Sequence, residues 1–123
     1  LLSIQAKKIS KNSWEAYINF GRDRTNLDVE EWIKKMTPLN FGELLLTSID
    51  ADGLSNGFDV ELYEKISKII NIPIIACGGF GKLIHIKELK KFADIDAISI
   101  SKALHYNKIK ISEIKNYIKK NND

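Results

Sequence analysis

Short apolar segments alternate with helical segments along this chain at a spacing of about 30 residues, and this alternation limits the possible folds more than any other feature. The apolar segments are rich in Leu, Ile and Ala and lack polar alternation, which is typical of strands buried on both faces. An order of strand, helix, strand and helix predicts a parallel sheet built from right-handed crossovers, so the expected class is α/β. The four predicted strands cover residues 1–6, 43–49, 72–76 and 97–100.

Capping signals mark the starts of two predicted helices. Asp28 is the candidate N-cap of the first helix, with Glu31 as its capping-box partner. Asp59 opens the second helix, in which apolar residues recur at helical spacing until Pro73. The four predicted helices cover residues 28–37, 59–72, 83–92 and 111–119.

Residues 7–20 depart from the strand and helix alternation. The polar residues 11–13 lie between segments of alternating character, and apolar residues alternate from Trp14 to Phe20. This pattern predicts a β-hairpin inserted into the first βα loop. Long ordered loops at the carboxyl ends of parallel strands are where ligands usually bind.

Four βα units are too few to close a barrel, because a complete eight-unit barrel takes about 250 residues. Residues 1–123 are therefore predicted to form a single domain that is half of such a barrel. Either the chain is half of a longer chain, or two copies pair through their open sheet edges, since an uncovered edge strand favours association. An open flavodoxin-like sheet is the main rival architecture.

Composition narrows the class of protein. No apolar segment approaches the roughly 18 residues of a membrane helix, and no signal region opens the chain, so a soluble cytoplasmic protein without membrane contact is expected. Cys77 is the single cysteine and cannot form an internal disulfide. The net charge of +3 comes from lysines spread over helices without interleaved aromatic residues, which favours a solvated surface over nucleic-acid binding.

Two predicted strand ends carry residues suited to one anion. Gly78 and Gly79 follow the third strand and lead into a helix, where backbone N–H groups and the helix dipole favour phosphate. Ser101 and Lys102 follow the next strand, at another helix start. A shared phosphate site is therefore predicted, although a tight turn with positive φ at Gly78 or Gly79 would also explain the glycines.

The second predicted strand contains Thr47 and leads into a loop that carries Asp50, Asp52 and Gly53. Carboxylates at this place suit polyol hydroxyl groups or general acid/base chemistry, whereas an Asx turn would explain Asp52 and Gly53 structurally. No cofactor and no metal ion are predicted. His105 has no second ligand at metal-binding spacing and is expected to pack or to cap a helix.

These motifs together resemble a known family. Over the whole chain they resemble consecutive motifs of the cyclase subunit of imidazole glycerol phosphate synthase, corresponding to strands five to eight of its barrel. The resemblance implies a lyase of histidine biosynthesis, in which ammonia from a separate glutaminase subunit attacks a bisphosphorylated ribulosyl aminoimidazole substrate and gives imidazole glycerol phosphate and an aminoimidazole carboxamide ribotide. The matching segments are residues 43–53, 57–59, 73–82 and 103–106.

The resemblance also implies a role for each matching residue. The residues that match the phosphate site are Gly78, Gly79, Ser101 and Lys102. Those that match substrate contacts are Thr47, Asp52 and Gly53. Glu43, at the opposite end of its strand, matches an acidic residue at the ammonia entrance.

Departures from the family bear on activity. Gln5 stands where the family carries an aspartate that acts as general acid/base, and an amide cannot exchange a proton near neutral pH. Losing proton transfer costs about 100-fold to 10,000-fold in rate, so this chain by itself is expected to have no cyclase activity. The family's second catalytic aspartate belongs to strand one, outside these residues. Lys102 replaces a common serine, and its charge favours an anion.

Two other functions stay open. A subgroup of cyclase-like proteins passes ammonia to sugar amidation in surface-glycan pathways, and residues 21–25, with Arg22 and Arg24, resemble that subgroup. Guanidinium groups in such a loop are suited to binding phosphate, although a loop that is only exposed to solvent would explain them as well. The other function is that of a non-catalytic half-barrel that only binds phosphate or a partner subunit.

Overall fold

The computed structural model describes residues 1–121, which form one six-stranded sheet with helices packed on it. The strands are β1 (Leu2–Ser10), β2 (Ser13–Ile18), β3 (Asp23–Asp28), β4 (Leu44–Ser48), β5 (Ile74–Cys77) and β6 (Ala97–Ser99). The helices are α1 (Val29–Met36), α2 (Val60–Ser67), α3 (Leu83–Phe92), α4 (Lys102–His105) and α5 (Ile111–Lys120), with a 3₁₀ turn at Thr37–Leu39. No helix within residues 1–121 is long and apolar enough to cross a membrane.

The order of strands across the sheet is β3-β2-β1-β4-β5-β6. β1, β4, β5 and β6 are parallel, while β2 and β3 extend the sheet beyond β1 as antiparallel strands. Successive parallel strands are therefore neighbours, as in a β/α barrel, whereas a flavodoxin-like sheet reverses its order at a switch point. The α/β class, the half-barrel and the hairpin in the first βα loop are confirmed.

The two faces of the parallel strands differ in burial. In β4, Leu44, Leu46 and Ser48 are buried, whereas Leu45 and Thr47 are only half-buried, and β5 repeats this alternation. The prediction that these strands are buried on both faces is wrong, because a single core cluster, shared with the helices, covers only the first face. The second face carries half-buried side chains that a ligand can reach.

The predicted N-caps are confirmed at both helices. The Asp28 carboxylate accepts a hydrogen bond from the Glu31 N–H at 3.0 Å at the start of α1. The Asp59 carboxylate accepts from the Leu62 N–H at 3.3 Å at the start of α2. Each cap satisfies an amide that has no partner within its helix.

The second helix ends earlier than predicted. α2 stops at Ser67, well before Pro73, and the Ile69 N–H donates to the Ile66 carbonyl in a tightened turn. Ile69 and Ile70 still pack against the core from this irregular backbone. The apolar spacing in this segment therefore reflects core packing rather than helix.

The prediction of a loop at residues 21–25 is also wrong, because β3 begins at Asp23. The turn between β2 and β3 contains three residues with positive φ, Asn19, Phe20 and Gly21. β3 is an edge strand with mostly polar residues, so it carries no hydrophobic period. Pairing with β2, rather than burial, holds it in place.

Side chains reinforce the pairing of β2 with β3. Arg24 donates from Nε and Nη2 to the two carboxylate oxygens of Glu15, at 3.0 and 2.9 Å. The Thr25 hydroxyl donates to the Ala16 carbonyl at 2.5 Å. These hydrogen bonds from Arg24 lower the pKa of the buried Glu15 carboxyl. Arg24 therefore has a structural partner on the hairpin.

The hairpin is fixed against helix α2 through Trp14. The buried Trp14 indole donates to the Asp59 carboxylate at 2.9 Å. The ammonium groups of Lys8 and Lys65 lie 5.5 and 5.7 Å from the centre of a Trp14 ring. Lys8 also pairs with Glu61 of α2 at 2.5 Å. Asp59 thus caps α2 and anchors the hairpin with the same side chain.

Tyr63 of α2 joins β4 to β5 from within the core. Its hydroxyl lies 2.8 Å from the carbonyl oxygens of both Leu46 and Cys77, and it accepts from the Cys77 N–H at 3.1 Å. The residue is fully buried, and this burial raises the pKa of its phenol. The hydroxyl therefore stays protonated and holds the last residue of β5.

Replacing Tyr63 with Phe is expected to lower the free energy of unfolding by about 1–3 kcal/mol, because buried backbone groups of Cys77 and Leu46 lose their partner. Urea unfolding at neutral pH measures this change. Tyr117→Phe is the matched control, since no hydrogen bond involves the Tyr117 hydroxyl within residues 1–121, and it should change stability by less than about 0.5 kcal/mol. Equal effects of the two variants would contradict the role of Tyr63.

Candidate functional site

A small cavity of about 30 Å³ lies at the carboxyl ends of β5 and β6 and against the loop that follows β4. The strands bring these loops together because parallel neighbours end at the same edge of the sheet. Six of the residues that the sequence predicted for ligand binding line this one cavity. They are Asp52, Gly53, Gly78, Gly79, Ser101 and Lys102.

The glycines allow two loops to approach each other closely. Gly78 and Gly79 have φ of +96° and +106°, and a Cβ added to Gly79 would lie 2.0 Å from the carbonyl oxygen of Gly57. A Cβ at Gly81 would lie 2.1 Å from the Ser55 carbonyl oxygen. The Gly57 N–H donates to the Gly79 carbonyl at 2.8 Å across this contact. Packing and backbone conformation both require glycine here, whether or not an anion binds.

Backbone donors at the cavity are left without protein partners. Within residues 1–121, the N–H groups of Gly78, Gly79 and Ser101 donate no hydrogen bond to the protein. The Lys102 ammonium lies on the opposite loop, where it donates to the Gly53 carbonyl. Three amides and one cation at a single cavity are a suitable set of groups for an oxyanion.

The start of helix α3 contributes less than the sequence indicated. The N–H groups of Gly81 and Lys82 both donate to Nδ1 of the buried His85, each at 3.1 Å. Nδ1 therefore acts as an acceptor for both amides. Because His85 uses these two amides, they are not available to an anion, and the free donors are those of the preceding glycines.

A polar row connects the cavity to Gln5 across the half-buried face of the sheet. Gln5 pairs with Thr47, Thr47 with Cys77, and Cys77 with Ser99, so these four side chains share one face. With about 4.8 Å between strands, Gln5 lies about 14 Å from Ser99. Cys77 and Ser99 line the cavity, so the row leads into it. Oε1 of Gln5 is buried and has no hydrogen-bond partner within residues 1–121.

The two aspartates after β4 have different surroundings. Oδ2 of Asp50 accepts a hydrogen bond from the Lys8 N–H at 2.7 Å and so ties this loop to β1. Asp52 is exposed at the cavity, and its carboxylate accepts no hydrogen bond within residues 1–121. Of the two, only Asp52 is free to contact a ligand.

Glu43 lies away from the cavity, as the sequence predicted. It precedes β4 and is exposed, and its carbonyl accepts a hydrogen bond from the Leu2 N–H at 2.9 Å. The five residues of β4 separate it from the cavity by about 16 Å. Glu43 is therefore at the amino edge of the sheet, opposite the other candidates.

The remaining candidates have structural surroundings. Arg24 is paired with Glu15 on the hairpin, outside the cavity. The His105 ring packs edge-on against Tyr106 with ring centres 5.0 Å apart. Cys77 is half-buried and lines the cavity. Among residues 1–121, no group of three or more His, Cys, Asp or Glu side chains is arranged to hold a metal ion.

Three residues near the site were missed by sequence reasoning. Tyr63 and His85 matched the apolar and helical patterns, which do not reveal what a buried polar atom contacts. A His three residues after the N-cap Lys82 was a usable signal for capping. Ser55 lines the cavity with a buried hydroxyl that has no partner within residues 1–121, and no local pattern marks it.

Comparison with known proteins identifies the family. The model of the family described as histidine biosynthesis protein matches residues 1–110. The chain belongs to the histidine biosynthesis protein family. The match includes β1 to β6 and the whole cavity, so the family covers every candidate residue described above.

Relatives within this family are similar over nearly the whole chain. Imidazole glycerol phosphate synthase subunit HisF of Hydrogenobaculum sp. is 44% identical over 99% of this chain and 48% of the relative. The HisF subunit of Clostridium botulinum strain 657 is 46% identical over 93% and 45%. That of Bacillus cereus ATCC 10987 is 39% identical over 99% and 48%. The chain spans about half the length of the curated relatives it matches.

Gly79→Ala is expected to destabilise the fold by at least about 2 kcal/mol, because its Cβ would meet the Gly57 carbonyl and its φ is positive. Gly42→Ala is the matched control, since nothing lies within 4 Å of a Cβ at Gly42, and it should cost less than about 0.5 kcal/mol. Chemical unfolding of both variants measures the difference. Similar stabilities would contradict the close contact between the two loops.

Proposed function

We propose that this chain supplies the phosphate-binding half of the active site in a cyclase subunit of imidazole glycerol phosphate synthase. In the proposed reaction, ammonia converts a phosphoribulosyl aminoimidazole precursor to imidazole glycerol phosphate and an aminoimidazole carboxamide ribotide. The observation that carries the proposal is the cavity, where unpaired amides and a lysine lie at neighbouring strand ends. The similarity to HisF subunits supports the choice of reaction.

Within this proposal, different residues of the cavity contact different parts of the substrate. Gly78, Gly79, Ser101 and Lys102 bind one phosphate group through amides and charge. The exposed Asp52 would repel that phosphate group, so it suits the hydroxyl groups of the attached sugar better. Gly53 and Thr47 complete these contacts, Gly53 at the cavity and Thr47 in the polar row.

Gln5 occupies the place of the proposed proton-transfer step. It lies beside Thr47 on the face that leads to the cavity, so it is within the proposed substrate path. Its amide can accept or donate a hydrogen bond but cannot exchange a proton near neutral pH. We therefore propose that substrate binding is retained while proton transfer at this position is impaired.

Glu43 is the proposed contact for ammonia supplied by a glutaminase subunit. Its exposed position at the amino edge of the sheet, about 16 Å from the cavity, would let ammonia enter from the side opposite the substrate. A glutaminase subunit that docks at this edge would not compete with the substrate for space.

The alternative of sugar amidation rested on residues 21–25. Arg24 is engaged by Glu15, and the segment belongs largely to an edge strand, so its sequence has a structural explanation. The HisF relatives favour the cyclase reaction over this alternative. A half-barrel that only binds phosphate differs from the proposal in lacking turnover, which the next experiment measures.

The chain by itself is expected to show no ammonia-dependent turnover of the imidazole precursor. When it is joined to the N-terminal half of a HisF relative, Gln5→Asp should raise turnover by about 100-fold to 10,000-fold over Gln5, because a carboxylate restores proton transfer. Gln5→Asn is the control and should give no gain, since it keeps an amide. Turnover by the unjoined chain, or no gain with Asp, would count against the proposed role of Gln5.

We also propose that two copies of the unjoined chain pair through the open edge at β6. β6 is at one end of the sheet, and its outward backbone groups have no neighbouring strand within residues 1–121. Sedimentation at increasing concentration should reveal a dimer, whereas the chain joined to the HisF half should stay monomeric. A monomer at all concentrations would contradict pairing at this edge.

A further inference from the structure

Ser55 combines two unfavourable features at one position. It lies in the loop between β4 and α2 and lines the cavity. Its φ is +59°, in the left-handed region that residues with a Cβ seldom adopt. Its Oγ is buried and has no hydrogen-bond partner within residues 1–121. Such features together are typical of residues that are held in place for contact with a ligand.

The surrounding backbone keeps Ser55 in this conformation. The Leu54 N–H donates to the Ala51 carbonyl at 3.2 Å, and the Gly57 N–H donates to Gly79 at 2.8 Å, so the loop is tied on both sides of Ser55. The Ser55 carbonyl also packs directly against Gly81. A change in the backbone conformation of Ser55 would break these contacts.

The groups that share the cavity with Ser55 are mainly donors. The amides of Gly78, Gly79 and Ser101 are unpaired within residues 1–121, and the Lys102 ammonium is close by. The exposed Asp52 carboxylate also lines the cavity, but the Ser55 hydroxyl donates no hydrogen bond to it. An oxyanion can accept from the hydroxyl, the amides and the ammonium at once. A bound metal cation would be repelled by Lys102.

We infer that the Ser55 hydroxyl is a further ligand for a phosphate monoester bound at this cavity. This inference rests on the proposed function and adds a residue to its phosphate site. The cavity of about 30 Å³ has room for about one water molecule. A phosphate group is larger than this, so the inference requires side chains at the cavity, such as that of Lys102, to move on binding.

The test compares the affinity of the protein for two anions, inorganic phosphate and glycerol 3-phosphate, by isothermal titration calorimetry. Ser55→Ala should raise the Kd about 10-fold, because a charge-assisted hydrogen bond is lost. Ser55→Gly should raise it similarly while it removes the backbone strain, so it tests the hydroxyl even if Ser55→Ala does not fold. Ser67→Ala is the matched control, since the Ser67 hydroxyl donates to the Glu64 carbonyl outside the cavity.

Each outcome decides one point. Loss of affinity in both Ser55 variants, with Ser67→Ala unchanged, supports the inference, and the more tightly bound anion shows whether the phosphate belongs to a small molecule or is free. Unchanged affinity in the Ser55 variants means that the hydroxyl contacts only water, which overturns the inference and leaves the phosphate site standing. No binding of either anion by the unaltered protein overturns the phosphate site itself and Ser55 with it.

Discussion

The contact between the Gly78–Gly81 loop and the loop after β4 is the constraint on which the site depends. Without side chains at Gly79 and Gly81, the carbonyls of Gly57 and Ser55 can lie against this backbone. The two explanations for the glycines are therefore compatible. Close packing requires glycine, and the same packing leaves the amides of Gly78 and Gly79 beside the cavity without protein acceptors. The steric requirement for glycine thus leaves unpaired amide donors at the cavity.

The helices also fix the position of the Gly78–Gly81 loop, from the core side of the sheet. Tyr63 reaches from α2 to both backbone groups of Cys77, the residue before Gly78, and so fixes the end of β5. Asp59, at the start of α2, anchors the hairpin through Trp14. One helix therefore positions the glycine loop and the hairpin together. Substitutions in α2 far from the cavity should therefore alter the positions of both the glycine loop and the hairpin.

Sequence patterns predicted those parts of the fold that follow from burial or capping. The parallel strands, Asp28, Asp59 and the first hairpin belong to this group. The sequence did not predict β3, because its polar residues are held by pairing with β2 rather than by burial. The hydrogen bonds from Arg24 to Glu15 are an example. At the site, the rule that parallel strands end at one edge predicted that the loops after β4, β5 and β6 lie together, as they do at the cavity. Ser55 was missed because its burial depends on a contact with Gly81, distant in sequence.

The positions proposed for phosphate binding and for proton transfer belong to different strands in this arrangement. The proposed phosphate ligands follow β5 and β6, whereas Gln5 belongs to β1, about 14 Å away across the polar row. A change at Gln5 therefore leaves the amides and Lys102 untouched, because no contact links them directly within residues 1–121. Affinity for a phosphorylated substrate can persist after the loss of the carboxylate that would move its proton. Under the proposed function, a donor on the substrate would satisfy Oε1 of Gln5, which is buried and has no partner within residues 1–121.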